Sequence, residues 1–502
     1  MQSSFADLDG THPVKQKTAL LIAGSFTALI LLRDVLILWA FSFGYYRDSN
    51  LYVNLGRTLF QKSGPFSTGV VSFPFPFLNA ITVSSDNPLR LVWLQILIGA
   101  LAAGALIYVI SRKNPVLASV IGVMFVFDFV WGAVNRNLMT EGLYVSFSVL
   151  SLALLLSHYD RRSSISSWEL LAAGIFYGWA FIFRPSSLFL TIIIVPVYFW
   201  LTRSWRKTVL ITTGFLLIYL GLGLFNLWSS GEFRLMGQSG YYTGSPLFVY
   251  RLFSPDNGPA STIIDQEFSA CFPGEDYASA MDTSAGGTRN NQILYGEFIP
   301  CLRESGRNLD QISDLFTQAY IEGILRQPAY FAGVLVREGI TYLKYNSPTI
   351  LRFYLKPELN NRCQEYDWCD DIRDGRYSWG NNLPFVGFYE KAGTKLFQLY
   401  LLPVGLLTRM LAGNQDLAVG ISGIVMILFL LLATRGRVRF LVLATMTLLG
   451  YIVLSVVSGY GFLARYASVV TPYYIVLSST TLVMLGKLLW SLVDRSRERT
   501  AA

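Results

Sequence analysis

TALLIAGSFTALILLRDVLILWAFSFGYYRDSNLY, running from Thr18 to Tyr52, decides the fold. The run from Thr18 to about Phe43 exceeds the roughly 20 apolar residues that carry a helix across a ~30 Å hydrocarbon core. It is too long for a cleavable signal segment and has no small-residue cleavage site, so it reads as a retained first span. The first ten residues are polar and acidic, and Lys15 and Lys17 follow, which places the N-terminus on the cytoplasmic side. The chain then leaves the bilayer through Tyr45-Tyr46-Arg47-Asp48, and Asp48 is the first carboxylate at the outer mouth. Only two histidines exist, His12 and His158, both in segments expected inside. Carboxylates must then carry any proton transfer at the outer face, and Asp48 is the best placed.

Working outward, the composition agrees. The 502 residues are 53% hydrophobic and 14% charged with mean hydropathy +0.44, against roughly 25% charged in an average soluble chain. Further apolar runs lie near 89–110, 116–134, 138–157, 169–187, 188–202, 208–228, 416–433, 438–458 and 466–489. With the first, they predict an all-α polytopic membrane protein of ten spans. The segment 395–412 is apolar enough to be an eleventh, but as a full span it would move Arg435, Arg437 and Arg439 outside, so an interfacial or re-entrant helix is preferred. Alternation puts Arg112-Lys113, Arg161-Arg162, Arg203, Arg206-Lys207 and the basic tail on the cytoplasmic side, as the positive-inside bias requires.

The net charge of +8 conceals an asymmetry: residues 229–395 hold 20 acidic and 15 basic side chains, a net of −5, leaving +13 elsewhere. The basic surplus faces an anionic leaflet. No basic patch is interleaved with aromatics, so nucleic acid is not an expected partner. All four cysteines, Cys271, Cys301, Cys363 and Cys369, lie in the acidic stretch. An even number confined to one polar island predicts disulfides in an oxidising compartment. Proximity favours 271–301 and 363–369 among three connectivities; a zinc site, the competitor, lacks short Cys spacing and histidine. Three regions follow: a membrane bundle over 1–228 with a first outer loop at 41–88, an extracytoplasmic domain over 229–395, disulfide-stapled and α-rich or mixed, and C-terminal membrane helices with a basic tail over 396–502.

Within the first outer loop, Asp48/Ser49 read as an N-cap signal. Leu51, Tyr52, Leu55, Leu59 and Phe60 recur at helical spacing, giving an interfacial helix over 49–62. Gly64-Pro65 ends it, and Phe73-Pro74-Phe75-Pro76-Phe77 reads as a proline-fixed aromatic turn. In the long loop, an apolar face from Ile312 to Ile324 predicts a helix that Gln327-Pro328 interrupts, and a second helix is expected to about Tyr345.

Six ionisable residues fall in or at the edge of spans: Arg33, Asp34, Asp128, Glu141, Arg184 and Arg465. Each costs about 2.5–3.5 kcal/mol at the bilayer centre, so each needs a polar cavity or a partner. Arg33 and Asp34 are neighbours on different sides of a helix and are expected to find partners on other helices. Glu141, Arg184 and Arg465 sit at outer ends, as does Arg136 in the short turn Asn135-Arg136-Asn137. Arginines there suit a phosphate, and a carboxylate suits an attacking hydroxyl.

These residues resemble the GT-C superfamily of polytopic glycosyltransferases, in particular its protein mannosyltransferase and lipid A aminoarabinose transferase branch. Arg47-Asp48-Ser49-Asn50-Leu51-Tyr52 is similar to that family's acid-bearing first outer loop, and Asn137 to Tyr144 to its glutamate-bearing span. Phe183-Arg184-Pro185 is similar to its Arg-Pro, and Ala464-Arg465-Tyr466 with Pro472 to its late Arg-Tyr…Pro. The resemblance implies a GT-C-like bundle and an inverting transfer of a sugar from a polyprenyl-phosphate donor to a glycan, glycolipid or protein acceptor. The reaction would occur at the outer, periplasmic face of the cytoplasmic (inner) membrane. Asp48 would be the general base; Arg184, Arg465 and Arg136 would hold the carrier phosphate, Glu141 would orient the sugar or an arginine, and Tyr466 and Tyr52 would be further substrate- or carrier-binding residues. Many relatives carry two adjacent acids where this chain has Arg47 and Asp48. A divalent cation (Mg or Mn) at Asp48 is therefore the less favoured form of the chemistry, and a metal-independent base the more favoured. Alternatives are a lipid-linked polysaccharide polymerase or ligase, a lipid or glycan transporter, a receptor built on the stapled loop, and a purely structural Asp48 whose N-cap contributes about 1 kcal/mol.

Overall fold

A computed structural model describes residues 15–41, 43–44, 47–59, 74–82, 87–160, 167–183, 195–196, 198–199, 203–230, 233, 244–275 and 293–344, with scattered residues between 471 and 493. Among them the protein is helical and has no strands beyond one isolated bridge. The first part holds α1 (Gln16–Phe41), α2 (Arg47–Leu59), α3 (Pro74–Ile81), α4 (Leu89–Ser111), α5 (Pro115–Val126), α6 (Phe129–Asn135), α7 (Thr140–Asp160), α8 (Ser167–Phe183) and α9 (Trp205–Ser230). Among the described residues, four helices are long and apolar enough to cross a membrane, five if α5 and α6 form one bent span, so this is a multi-pass membrane protein.

Helix directions follow from the side chains that meet. A Cβ on Gly104 of α4 would run into Thr27 of α1, and the Ser111 hydroxyl lies 3.4 Å from the Ala19 carbonyl, so α1 and α4 are antiparallel. The Ser151 hydroxyl donates to the Ala173 carbonyl at 2.8 Å, and Phe147 stacks on Phe183 with centroids 5.7 Å apart, so α7 and α8 are antiparallel too. Gly174 and Gly214 let the backbones of α8 and α9 touch, as small residues do between membrane helices. There Gly174 meets Ile211 while Gly178 meets Ile218, which makes this pair parallel. Parallel neighbours in sequence need a return crossing between them; the expected span 188–202 lies largely outside the described residues, but Phe183 and Trp205 stand at opposite ends of the bundle. Outward-facing Leu20, Leu21, Leu29, Leu32 and Leu36 give α1 an apolar face suited to lipid.

Four expectations require correction. The run 116–134 is not one continuous helix, because α5 and α6 meet at 56°. Phe127 and Asp128 leave the helix, and the Asp128 carboxylate caps α6 by accepting from the amides of Val130 at 3.1 Å and Trp131 at 3.4 Å. Arg33 and Asp34 do find partners beyond α1, at Phe125, Asp128 and Asn135, but they also pair with each other: Arg33 Nε donates to Asp34 Oδ1 at 2.7 Å, and Nη2 stands 2.6 Å from the same oxygen. The flexible arginine stem curls back over its own helix, because two enclosed charges left apart would be costlier than one bent side chain. Residues 74–81 form a helix where an aromatic turn was expected, since Pro74 at its first position needs no N–H partner. Helix α2 begins at Arg47, so Asp48 lies inside its first turn and Ser49 is not its cap.

The second part holds α10 (Gly244–Val249), α11 (Pro259–Cys271), α12 (Ile299–Glu304) after a π turn at Leu294–Phe298, α13 (Leu309–Arg326) and α14 (Pro328–Lys344). Phe268, Phe298, Phe316 and Phe248 run through its core as successive edge contacts of 5.2, 6.1 and 6.4 Å. Asn308 and Gln311 cap α13 reciprocally. Glu322 of α13 accepts from the first amides of α11, Ala260 and Ser261, both at 2.9 Å. The expected disulfide Cys271–Cys301 is present and ties α11 to α12. Cys363 and Cys369, the spans beyond residue 415 as far as 470, and the segment 395–412 lie outside the described residues.

Candidate functional site at one end of the bundle

Lys15, Lys17, Arg112 and Lys113 lie at one end of the bundle, and the enclosed polar residues around Asn137 at the other. These basic residues stand where α1 begins and α4 ends, as the Ser111–Ala19 contact shows. At the other end, the chain leaving α1 is fastened to the turn between α6 and α7. Gly44 N donates to the Arg136 carbonyl at 3.1 Å, and Leu138 N donates to the Gly44 carbonyl at 3.0 Å. This is a one-residue parallel bridge between Gly44 and Asn137. Five residues on, the buried Ser49 hydroxyl donates to the Leu138 carbonyl at 2.8 Å. Asp48, beside Ser49 in the first turn of α2, is thereby held against a turn bounded by Arg136 and Glu141. The Asp48 side chain itself lies outside the description.

The turn is built from polar residues that no lipid could accommodate. Gln95 of α4 donates to the carbonyls of Asn135 at 3.0 Å and Asn137 at 2.7 Å. Asn135 donates to Asp34 Oδ2 at 3.2 Å, and the Asn137 amide donates back to the Ala133 carbonyl. Irregular backbone at membrane depth is tolerated only where protein encloses it, and these amides do so. Arg136 and Glu141 are both fully enclosed, and both have partners. Thr140 Oγ1 lies 3.4 Å from Glu141 Oε2 in the first turn of α7. A guanidinium keeps its charge under such enclosure, so Arg136 places a fixed positive charge beside the Asp48 helix.

Tyr52 is buried on α2, one turn beyond Asp48, with its ring edge on Phe75 of α3 at 4.8 Å. Phe75 in turn meets Phe183 at 6.4 Å. Phe183 immediately precedes Arg184, so the last described residue of α8 comes to the same end as α2 and α3. Of the residues expected in the site, Tyr52, Arg136, Glu141 and the backbone of Asp48 lie at this same end of the bundle. Arg184, Arg465 and Tyr466 lie outside the described residues. Arg136 and Glu141 are enclosed by protein at this end of the bundle. Among the described residues, no group of three or more His, Cys, Asp or Glu side chains could hold a metal ion.

Sequence reasoning missed Gly44, Gln95, Asn135 and Asn137 as parts of the site. Gln95 carried a signal, being the one amide in the run from Leu89 to Ser111.

Residues 50–228 match the family model of dolichyl-phosphate-mannose-protein mannosyltransferases, a GT-C type of glycosyltransferase. The match covers about a third of the chain. It takes in Tyr52, Arg136, Glu141 and Arg184, starts two residues after Asp48, and leaves out residues 229–395 and Arg465. No curated protein and no solved structure matches the chain.

Proposed function

We propose that the protein transfers a sugar from a polyprenyl-phosphate carrier to an acceptor hydroxyl of a glycan, glycolipid or protein at the outer face of the membrane. The family match supports a lipid-linked donor and a glycosyltransferase reaction. The observation that carries the reading furthest is the double fastening of Gly44 and Ser49 to Asn137 and Leu138, which sets the Asp48 helix against Arg136 and Glu141. In this reading Asp48 takes the proton from the acceptor hydroxyl, whose oxygen attacks the anomeric carbon as the bond to the carrier phosphate breaks. The attack inverts the anomeric centre. The leaving phosphate keeps the bonding pair, and its charge is met by Arg184 and Arg465, supported by the field of the enclosed Arg136. Glu141 and Tyr52 border the sugar, and Tyr466 the carrier. No metal takes part in the proton transfer.

Purified protein offered a panel of synthetic polyprenyl monophosphate sugars should transfer one sugar from one of them, with the product read by mass spectrometry. Asp48→Asn should fold and lose activity by about 10²–10⁴-fold, the usual contribution of a positioned base. Normal turnover by a folded Asp48→Asn would remove Asp48 from the chemistry. Transfer only of an oligosaccharide from a diphosphate carrier would identify a polymerase or ligase instead.

A further inference from the structure

We propose that Arg33 and Asp34, two turns inside α1, are positioning residues for this site: they fix the break between α5 and α6 and so set where Arg136 and Glu141 stand against the Asp48 helix. The inference rests on the reading of the outer end as a transfer site.

Arg33 is enclosed by protein, and three of its nitrogens face acceptors or the Asp34 carboxylate. Its Nε and Nη2 hold Asp34, while Nη1 donates to the Phe125 carbonyl and to the Asp128 carbonyl, the latter at 2.5 Å. Those two carbonyls flank the break; the Phe125 carbonyl also accepts the Asp128 amide at 3.2 Å, and the guanidinium takes up its second lone pair. One guanidinium thus closes the end of α5 and the start of α6 together. Asp34 reaches the other end of α6, accepting from Asn135 at 3.2 Å. Between the two contacts α6 lies flush on the pair: a Cβ on Gly132 would come within 2.6 Å of Asp34 Oδ1 and of Ile37 Cδ1, and within 3.1 Å of Arg33 Nε.

The contacts close a ring. From Arg33 and Asp34 the path runs along α6 to Asn135, through Arg136 and Asn137 to the bridge with Gly44, and back down α1. A slip of α6 along α1 must therefore displace the turn or break the bridge, and Leu138 carries the displacement to Ser49. Packing alone could bury α6 with apolar side chains, and such replacements of buried ion pairs are often as stable. What the pair adds is direction: a planar fork meets two carbonyls and a carboxylate in one geometry only. A lysine at the same place keeps the charge but cannot do this.

Arg33→Lys and Gly132→Ala in the full-length protein, reconstituted in nanodiscs, test the inference by two independent readouts. The first is amide hydrogen exchange at Gly44 and Leu138, whose N–H groups make the bridge. Both variants should exchange there at least about tenfold faster while amides near Gly174 keep their protection, marking a local shift instead of unfolding. The second is the kinetics of transfer: kcat should fall about 100-fold with the donor KM held within about threefold, as expected of ångström-scale misplacement. Unchanged exchange in a folded Arg33→Lys would overturn the proposal, and so would faster exchange with unchanged kcat. Protection lost throughout the bundle would make the pair merely structural and overturn it as well. If the wild-type protein transfers sugar from no carrier, the functional reading fails and the proposal with it, whereas faster exchange would still show that Arg33 fixes the turn.

Discussion

A Cβ added at Gly44 would overlap the side-chain oxygen of Asn137, and Asn137 cannot swing away, since it is fully buried and its amide is held by the Ala133 carbonyl. Gly44→Ala should therefore destabilise the protein by about 1–3 kcal/mol, the usual range for overpacking, and impair any activity that depends on the bridge. Asn137→Ala removes the obstacle, so the double variant should be less impaired than the sum of the two single ones. A thermal-unfolding double-mutant cycle reads this coupling directly, and strict additivity would mean that the two side chains do not meet. The same residues show what the sequence could and could not disclose. Asp48, Glu141 and Arg136 stand out in the sequence as candidates because a charge at the end of an apolar run needs an explanation. Gly44, Gln95 and Asn137 do not, because a neutral residue acquires its meaning from a partner about 40 to 90 positions away in the chain.

At the scale of elements, hydropathy located α1, α4, α7, α8 and α9 within a few residues but could not see the break in α5–α6. The apolar run continues through Phe127, and only the cap chemistry of Asp128 marks where the helix restarts. Helix α3 was missed for a related reason, since two prolines in eight residues argue for a turn until one recognises that both can stand in a first helical turn. The stapled helices of the outer segment were read more closely. Gln327-Pro328 does separate α13 from α14, and proximity identified Cys271–Cys301. That bond joins residues 30 apart, and closing a loop of that size stabilises by about 3–4 kcal/mol in the chain-entropy account. Cys301→Ser, or reduction, should therefore make α11–α13 the first region cleaved in limited proteolysis, with α7 and α8 unaffected. Equal resistance of α11–α13 in the reduced and oxidised protein would show that the Phe268–Phe298–Phe316 core holds these helices without the bond.

For the whole molecule the question is which end of the bundle faces out. A broken span also occurs in transporters, where the ends of half-helices turn toward cargo. Here those ends are taken by Arg33 and by the Asp128 carboxylate, which leaves the break as a fixed joint. Sidedness rests on two independent arguments. On the proposed orientation, the positive-inside bias puts the Lys15 and Arg112-Lys113 end in the cytoplasm and the Gly44–Asn137 end outside. The α9 helix starts beside Arg206-Lys207, runs parallel to α8, and ends on the side where Phe183 meets Phe75, so the chain that follows emerges at the site end. A disulfide in that chain requires an oxidising compartment, which agrees. Ser305→Cys should therefore react with a membrane-impermeant maleimide in intact cells, and Lys113→Cys only after permeabilisation. The reverse labelling would put the Asp48 helix in the cytoplasm and would exclude a donor presented from the outer leaflet. Labelling of both from one side would mean that α4 does not cross, and the helix directions deduced from the Thr27, Ser151 and Gly174 contacts would then need a different relation to the bilayer.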